Sequence, residues 1–267
     1  MIKNFFELCL IEINKININI DKNRYKVKYS NQYYLNLIFY MLNDINNWHV
    51  LTKLKECKSN FKYHYKTIYN KFKLWSYKNV FKNAFYNFNN KTNTNLLLID
   101  ATSINNKYGS ENITINPEYK KKKVTKLSLI TDKNGFIYSV TPFDIKNNYN
   151  NYSTSVHDVK MISKSINEIK KINNKSKYFT LIGDKAYKTN NKFKLNDKNI
   201  KIVTPNKKNT INKNSNFNNK KLKSRIKVEN SINQIKKYER IKTRKDKKII
   251  NFMSWVYISC LLNNIKC

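Results

Sequence analysis

The chain has 267 residues, with 53 Lys+Arg against 17 Asp+Glu, a formal net charge of +36 and a hydrophobic content of 40%. Its 13% aromatic content, including 19 Tyr and 14 Phe, rules out a disordered basic tail and demands a buried core. Self-repelling charge on this scale points to a polyanionic partner, nucleic acid by default, although the excess of Lys, Asn, Ile and Tyr is also what an AT-rich coding sequence gives.

At the N-terminus, Met1 to Glu12 places acids inside an apolar stretch and offers no small-residue cleavage site, unlike a signal peptide. Cys9, Cys57, Cys260 and Cys267 form no close pair of the kind a zinc site uses. They read as free thiols of an intracellular protein rather than a secreted disulfide framework. From Tyr33 to Phe88 the apolar residues recur at three and four positions: Tyr34, Leu35, Ile38, Met41 and Leu42, then Ile68, Phe72, Trp75, Phe81 and Phe85. That is the helical period. Lys66 and Lys73 put cations between the aromatics, which suits a DNA-reading set of short helices. A helical cap with core aromatics fits the same pattern. The polar stretch Asn89–Asn95 reads as a linker, so 1–90 is expected to be a helical domain and 91–267 a second one.

Beyond it the period changes. Leu96 to Ile99 is a short apolar strand ending in Asp100. Lys126–Thr131 and Phe136–Phe143 alternate around Asp132-Lys133-Asn134-Gly135, a hairpin. Val156–Ile172 is helical, Tyr178–Ile182 is a second buried strand running into Gly183-Asp184, and Ile200–Val203 is a third. Asn206–Lys221 is a polar Asn/Lys tract that reads as a loop. A charged helix from Leu222 to about Lys245 precedes an apolar helix to Leu262. Asn251 and Ser254 interrupt that last run, and it falls short of the roughly 20 apolar residues a membrane span needs. Strand, hairpin, helix, strand and helix describe a mixed α/β core.

In a chain so poor in acids, Asp100 and Asp184 both follow buried strands, where α/β sheets place their chemistry. Carboxylates kept in such positions suit a hard divalent cation. On the following helix Arg225, Glu229 and Lys236 fall within about 40° of one another at about 100° per residue. A metal-binding Glu beside phosphate-binding cations is a phosphoryl-transfer set, and an ordinary i, i+4 salt-bridge face is the plainer alternative. Alone, each Asp also fits a turn or helix cap.

Five stretches together resemble the DDE transposases of insertion sequences, in the branch with an N-terminal helical end-binding domain. They are Leu97–Ser103, Lys126–Gly135, Val156-His157-Asp158, Leu181–Tyr187, and Arg225–Glu229 onward to Ile241. The separations are 84 positions from Asp100 to Asp184 and 45 from Asp184 to Glu229. The resemblance implies an RNase H-like mixed-sheet catalytic core (91–267) preceded by a small all-helical domain (1–90) that binds transposon ends, with Trp48 and Tyr69–Trp75 at the expected aromatic places. It implies Asp100, Asp184 and Glu229 as catalytic metal ligands. They would hold two Mg²⁺, with Mn²⁺ able to substitute, about 3.5–4 Å apart across a scissile phosphate. Cleavage of the element's ends would precede in-line strand transfer into target DNA, without a covalent protein–DNA intermediate. Arg225 and Lys236 would contact DNA phosphates, as would Lys66 and Lys73. Tyr187 would stack on a base or belong to the core.

Two positions depart from the branch pattern. Leu222 stands where Tyr is common, and Ala186 where Gly is common. All three acids remain, so an active enzyme is expected. The implied partners are double-stranded DNA, as inverted-repeat ends and as target, and a second copy in a homodimer, with no membrane. The expected location is wherever the encoding genome resides: cytoplasm or nucleoid, nucleus, or viral factory. An RNase H-like nuclease without strand transfer and a domesticated DNA-binding protein share parts of this signature. An RNA-binding or ribosome-associated protein would account for the charge alone.

Overall fold

The structure, a computed structural model, describes residues 2–17, 29–43, 48–53, 65–89, 94–116, 122–143, 159–172, 178–187, 199–205 and 222–266. The N-terminal part is helical: α1 (Ile2–Asn17), α2 (Asn31–Asn43), a 3₁₀ turn (Trp48–Lys53), α3 (Tyr65–Tyr77) and α4 (Val80–Asn89). Helix α1 lies ahead of the stretch whose periodicity predicted helix. Its Phe5, Phe6, Cys9 and Ile13 are buried at helical spacing. Between α3 and α4 the chain turns at Asn79, which takes the left-handed conformation (φ 57°) and accepts a hydrogen bond from Asn83 N–H. Asparagine tolerates that conformation better than most residues.

A seven-stranded mixed sheet follows. Its strands are β1 (Leu96–Asn106), β2 (Thr114–Asn116), β3 (Lys122–Thr131), β4 (Ile137–Pro142), β5 (Phe179–Ile182), β6 (Ile200–Val203) and β7 (Thr243–Arg244). The order is β2-β3-β1-β5-β6, with β4 also on β3 and β7 also on β1. Strand β1 runs antiparallel to β3 along most of its length and parallel to β5 only over Leu96–Leu98. The sequence placed the end of this strand at Asp100. It continues to Asn106 because β3 keeps pairing with it as far as Asn105. The predicted hairpin is present, with Gly135 in its turn at φ +94°.

Alternation along β1 divides the sheet between two cores. Leu97 and Ile99 face α5 (Val159–Ile172), packing with its Ile162, Ile166 and Ile169. Leu98 and Ile104 face the opposite side, covered by α6 (Ile226–Lys236), α7 (Glu239–Lys242) and α8 (Ile249–Lys266). The charged helix predicted from Leu222 to Lys245 is divided. Tyr238 is extended (φ −76°, ψ 126°) between α6 and α7, and Thr243–Arg244 then joins the sheet edge beside Asn105–Asn106. Arg244 is the reason. It is fully buried and donates to the carbonyls of Glu111, Asp246 and Lys247 and to Thr125 Oγ1.

Helix α8 is buried nearly all round, as a helix apolar on every side must be. It lies between the sheet and the N-terminal helices. Trp255 stacks on Phe72 (4.3 Å between ring centres) and meets Trp48 at 5.9 Å. Buried Arg240 sits over both indoles and donates to Met41 C=O. Asn89, inside the predicted linker, is also buried and donates to the carbonyls of Ile137 and Tyr138. One hydrophobic cluster therefore runs from α1 through α8 to the sheet. Among the described residues, no helix is long and apolar enough to cross a membrane.

Candidate active site

Asp100 and Asp184 lie two positions beyond Leu98 and Ile182, the pair that ends the β1–β5 ladder. Side chains alternate across a strand, so Asp100 shares the face of Leu98, the one that α6 covers, and Arg225 at the start of α6 reaches Asp184. Asp100 sits in a notch on its strand's edge, after β5 leaves and before β7 joins at Asn105. Its Oδ1 accepts from Ala101 N–H at 2.8 Å. Past β5, Gly183 N–H still bonds Val203 C=O, after which Asp184 opens a 3₁₀ turn (Lys185–Tyr187) and accepts from Lys185 N–H at 2.6 Å. The turn is tight because Tyr187 folds back: a Cβ on Gly183 would lie 2.8 Å from the Tyr187 ring. Tyr187 is fully buried and belongs to the core, not to a base-stacking surface.

Glu229 lies on α6, and Arg225 links it to Asp184. The guanidinium is 3.5 Å from Asp184 Oδ1 and 3.6 Å from Glu229 Oε1. The two carboxylates are 48% and 51% exposed against 20% for Arg225, so water weakens both contacts. Lys236 stands on the same face of α6, near Asp100. Its partial burial lowers the ammonium pKa, and the Asp100 carboxylate opposes that shift. Thus Arg225 lies by Asp184 and Glu229, and Lys236 by Asp100. Lys66 and Lys73 are exposed on α3, with Lys73 over the Tyr77 ring. The aromatics between them, Phe72 and Trp75, are core. Leu222 packs against the main core, and Ala186 is exposed. His157 and Asp158 lie outside the described residues, as does the tract 206–221.

Asp100 and Asp184 are hard oxygen donors of the kind a divalent ion takes. Among the described residues no three Asp, Glu, His or Cys side chains are grouped closely enough to hold a metal. Arg225 reaches both Asp184 and Glu229.

Sequence reading missed the brace at the start of α8. Glu111 caps α8: its carboxylate accepts from Ile249 N–H (2.9 Å) and Lys248 Nζ (2.7 Å), and its carbonyl takes Arg244. Burial works against the charge on Glu111, but those hydrogen bonds and the neighbouring cations leave its pKa below the ordinary value. The partners are more than 130 positions apart, so no local pattern announces them.

A family profile described as DDE superfamily endonuclease matches residues 99–264, which contain all three acids. The chain belongs to the DDE superfamily endonucleases. It is an enzyme of the nuclease and transposase class, and the resemblance to DDE transposases is borne out. Such endonucleases generally use divalent metal ions. No curated protein sequence matches the chain. Among solved structures it is similar to piggyBac transposase in a synaptic complex with hairpin DNA, with a TM-score of 0.56 and 10% identity. That likeness covers 98% of this chain and 72% of the other, and it is one of fold. A Mos1 transpososome in a pre-cleavage state overlaps 92% of this chain and 82% of its own at 9% identity, but its TM-score of 0.28 is too low to argue a shared fold. The mixed α/β class read from the sequence is the class observed.

Proposed function

We propose that this DDE endonuclease is a transposase that cuts double-stranded DNA at the ends of a mobile element and transfers those ends to target DNA. Asp100, Asp184 and Glu229 are its catalytic acids. The observation that supports this reading is that Arg225 at the start of α6 reaches both Asp184 and Glu229, while Lys236 on the same helix is near Asp100.

The three acids would hold Mg²⁺, with Mn²⁺ as a substitute. Once bound, such ions offset charge on the scissile phosphate and make water or a 3′-hydroxyl a better nucleophile. The rest is done by the chain's own groups. Arg225 is a fork of donors suited to a phosphate's oxygens. It lies between Asp184 and Glu229, where a phosphate would be clamped. Lys236 adds a cation next to Asp100. The strand-end backbone fixes both aspartates, since each carboxylate already accepts a main-chain N–H. Lys66 and Lys73, exposed on α3, are proposed to contact phosphates farther along the DNA. A homodimer pairing two ends is proposed on the same reading, and the enzyme works wherever the encoding genome is kept.

A labelled duplex carrying the gene's own flanking sequence tests the proposal, incubated with Mg²⁺, with Mn²⁺, with EDTA, and with the Asp184→Asn variant. Metal-dependent nicks at the element boundary, with joined products that the variant does not make, are expected. Cleavage without joining would favour the second reading, an endonuclease without strand transfer, which the family description also accommodates. DNA binding without cleavage under any of these conditions would overturn the enzymatic assignment of the three acids.

A further inference from the structure

Helix α6 carries more than one polar face. At about 100° per residue, Arg225, Glu229 and Lys236 point one way, while Lys227, Asn230 and Gln234 point roughly opposite. The second set borders a pocket of about 300 Å³ between α6, the β3–β4 turn and the last turns of α8. Asn134 comes from the turn, and Asn263 and Lys266 come from α8.

The pocket is built rather than incidental. Buried Ser231 donates to Gly135 C=O at 2.8 Å and Asn263 Nδ2 donates to the same carbonyl at 3.3 Å, which joins all three elements at its floor. No Asp or Glu lines it. Among the described residues, no hydrogen bond or ion pair engages the side chains of Lys227, Asn230, Gln234 or Lys266. Two ammonium groups and four carboxamides thus meet in one concavity with donors to spare. The C-terminal end of α8 contributes partial negative charge there, so the ammoniums must dominate any attraction to an anion.

We infer that this pocket is a second DNA-contact site, in which Lys227 and Lys266 bind backbone phosphates and the carboxamides hold the adjoining sugar and base edges. It rests on the proposed action on DNA. A helix with its side chains is about 10–12 Å across. A strand covers that in about three nucleotides at 3.4 Å each. One strand can therefore lie at the acids and reach the pocket around α6, and the pocket fixes the strand's register relative to the cut.

The test is binding in EDTA, where no cleavage complicates it. The probe is a fluorescent short duplex carrying the gene's flanking sequence, followed by anisotropy across a salt series. Each phosphate contact contributes about 0.9 to the slope of log affinity against log salt. The Lys227→Gln/Lys266→Gln double variant is expected to lose about 1.8 of slope and to bind about tenfold more weakly at moderate salt. A Lys3→Gln/Lys201→Gln control removes the same charge from exposed positions elsewhere and is expected to leave the slope nearly unchanged. Equal losses in the two variants, or no loss in either, would overturn the pocket as a site. Wild-type chain supplies an independent readout: acetylation of lysines, followed by mass spectrometry, is expected to show Lys227 and Lys266 protected by the duplex more than Lys3 and Lys201. DNA binding with Lys227 and Lys266 unprotected sinks the pocket and leaves the proposed function standing. Absence of any DNA binding sinks both.

Discussion

Single carboxylates are where the proposed chemistry and one acid-stability effect can be tested. Asp100→Asn and Asp184→Asn are each expected to lower metal-dependent cleavage by about a thousandfold or more, because a lost hard ligand removes several kcal/mol of charge stabilisation. Binding of the duplex in EDTA should be retained in both, which a gel shift would check. Glu111 makes a different prediction. Its folded-state pKa lies below its ordinary 4.5, so the unfolded chain binds its proton first as pH falls. Its contribution to stability is then complete above pH 4.5 and is lost as pH drops through the lowered value. Urea midpoints measured on either side of pH 4.5 should fall less steeply in Glu111→Gln than in wild type. An unchanged acid slope would show that the cap carries no net charge effect.

Two kinds of local information set the elements, and they differ in reach. The hairpin was legible because Asp132-Lys133-Asn134-Gly135 is turn chemistry between alternating runs. Gly135 uses its freedom there, at φ +94°, and an added Cβ would lie 3.1 Å from Ser231 Oγ, a hydroxyl already committed to Gly135 C=O. Gly135→Ala is therefore expected to cost about 1–3 kcal/mol, read from the urea midpoint. It should also disturb the pocket beside α6. The break between α6 and α7 was not legible. Leu222 to Lys245 has the composition of one charged helix, and only the burial of Arg244 against Glu111, Thr125, Asp246 and Lys247 draws the chain into the sheet. Likewise the extent of β1 depends on β3, a partner that no window around Asp100 contains.

At the scale of the whole molecule, α8 joins the helices to the sheet. Asn264 shows how closely: it donates to Ile137 C=O (2.8 Å) and Asn89 Oδ1 (2.9 Å) and accepts from Ile137 N–H (2.7 Å), tying α8, β4 and α4 together. Asn264→Ala leaves a buried backbone N–H without its acceptor and is expected to cost about 2–3 kcal/mol, seen as a lower denaturation midpoint. The aromatic contacts of Trp255 with Phe72 and Trp48 extend the same dependence to α3 and the 3₁₀ turn before it. A chain starting near Thr94 would expose that face of α8 to water. It is expected to aggregate or to lose its near-UV circular dichroism. A soluble truncation with a cooperative transition would instead support an independent catalytic domain at 91–267.

The sequence by itself determined the class of fold and the order of most elements, and it singled out the three acids proposed as catalytic. Those properties reside in local hydrophobic period, turn chemistry and motif spacing, all of which are written along the chain. The tertiary structure decided which side of the sheet Asp100 faces and that Glu229 leans on Arg225. It also decided that Tyr187, Phe72 and Trp75 serve packing, and that Arg244 and Glu111 brace the start of α8. The bonds of Arg244 and Glu111 join partners more than a hundred positions apart, whereas Glu229 meets Arg225 within one helical turn. A long-range contact forms only where burial and hydrogen bonding outweigh the entropy of closing the intervening loop, a balance that no local stretch of residues contains.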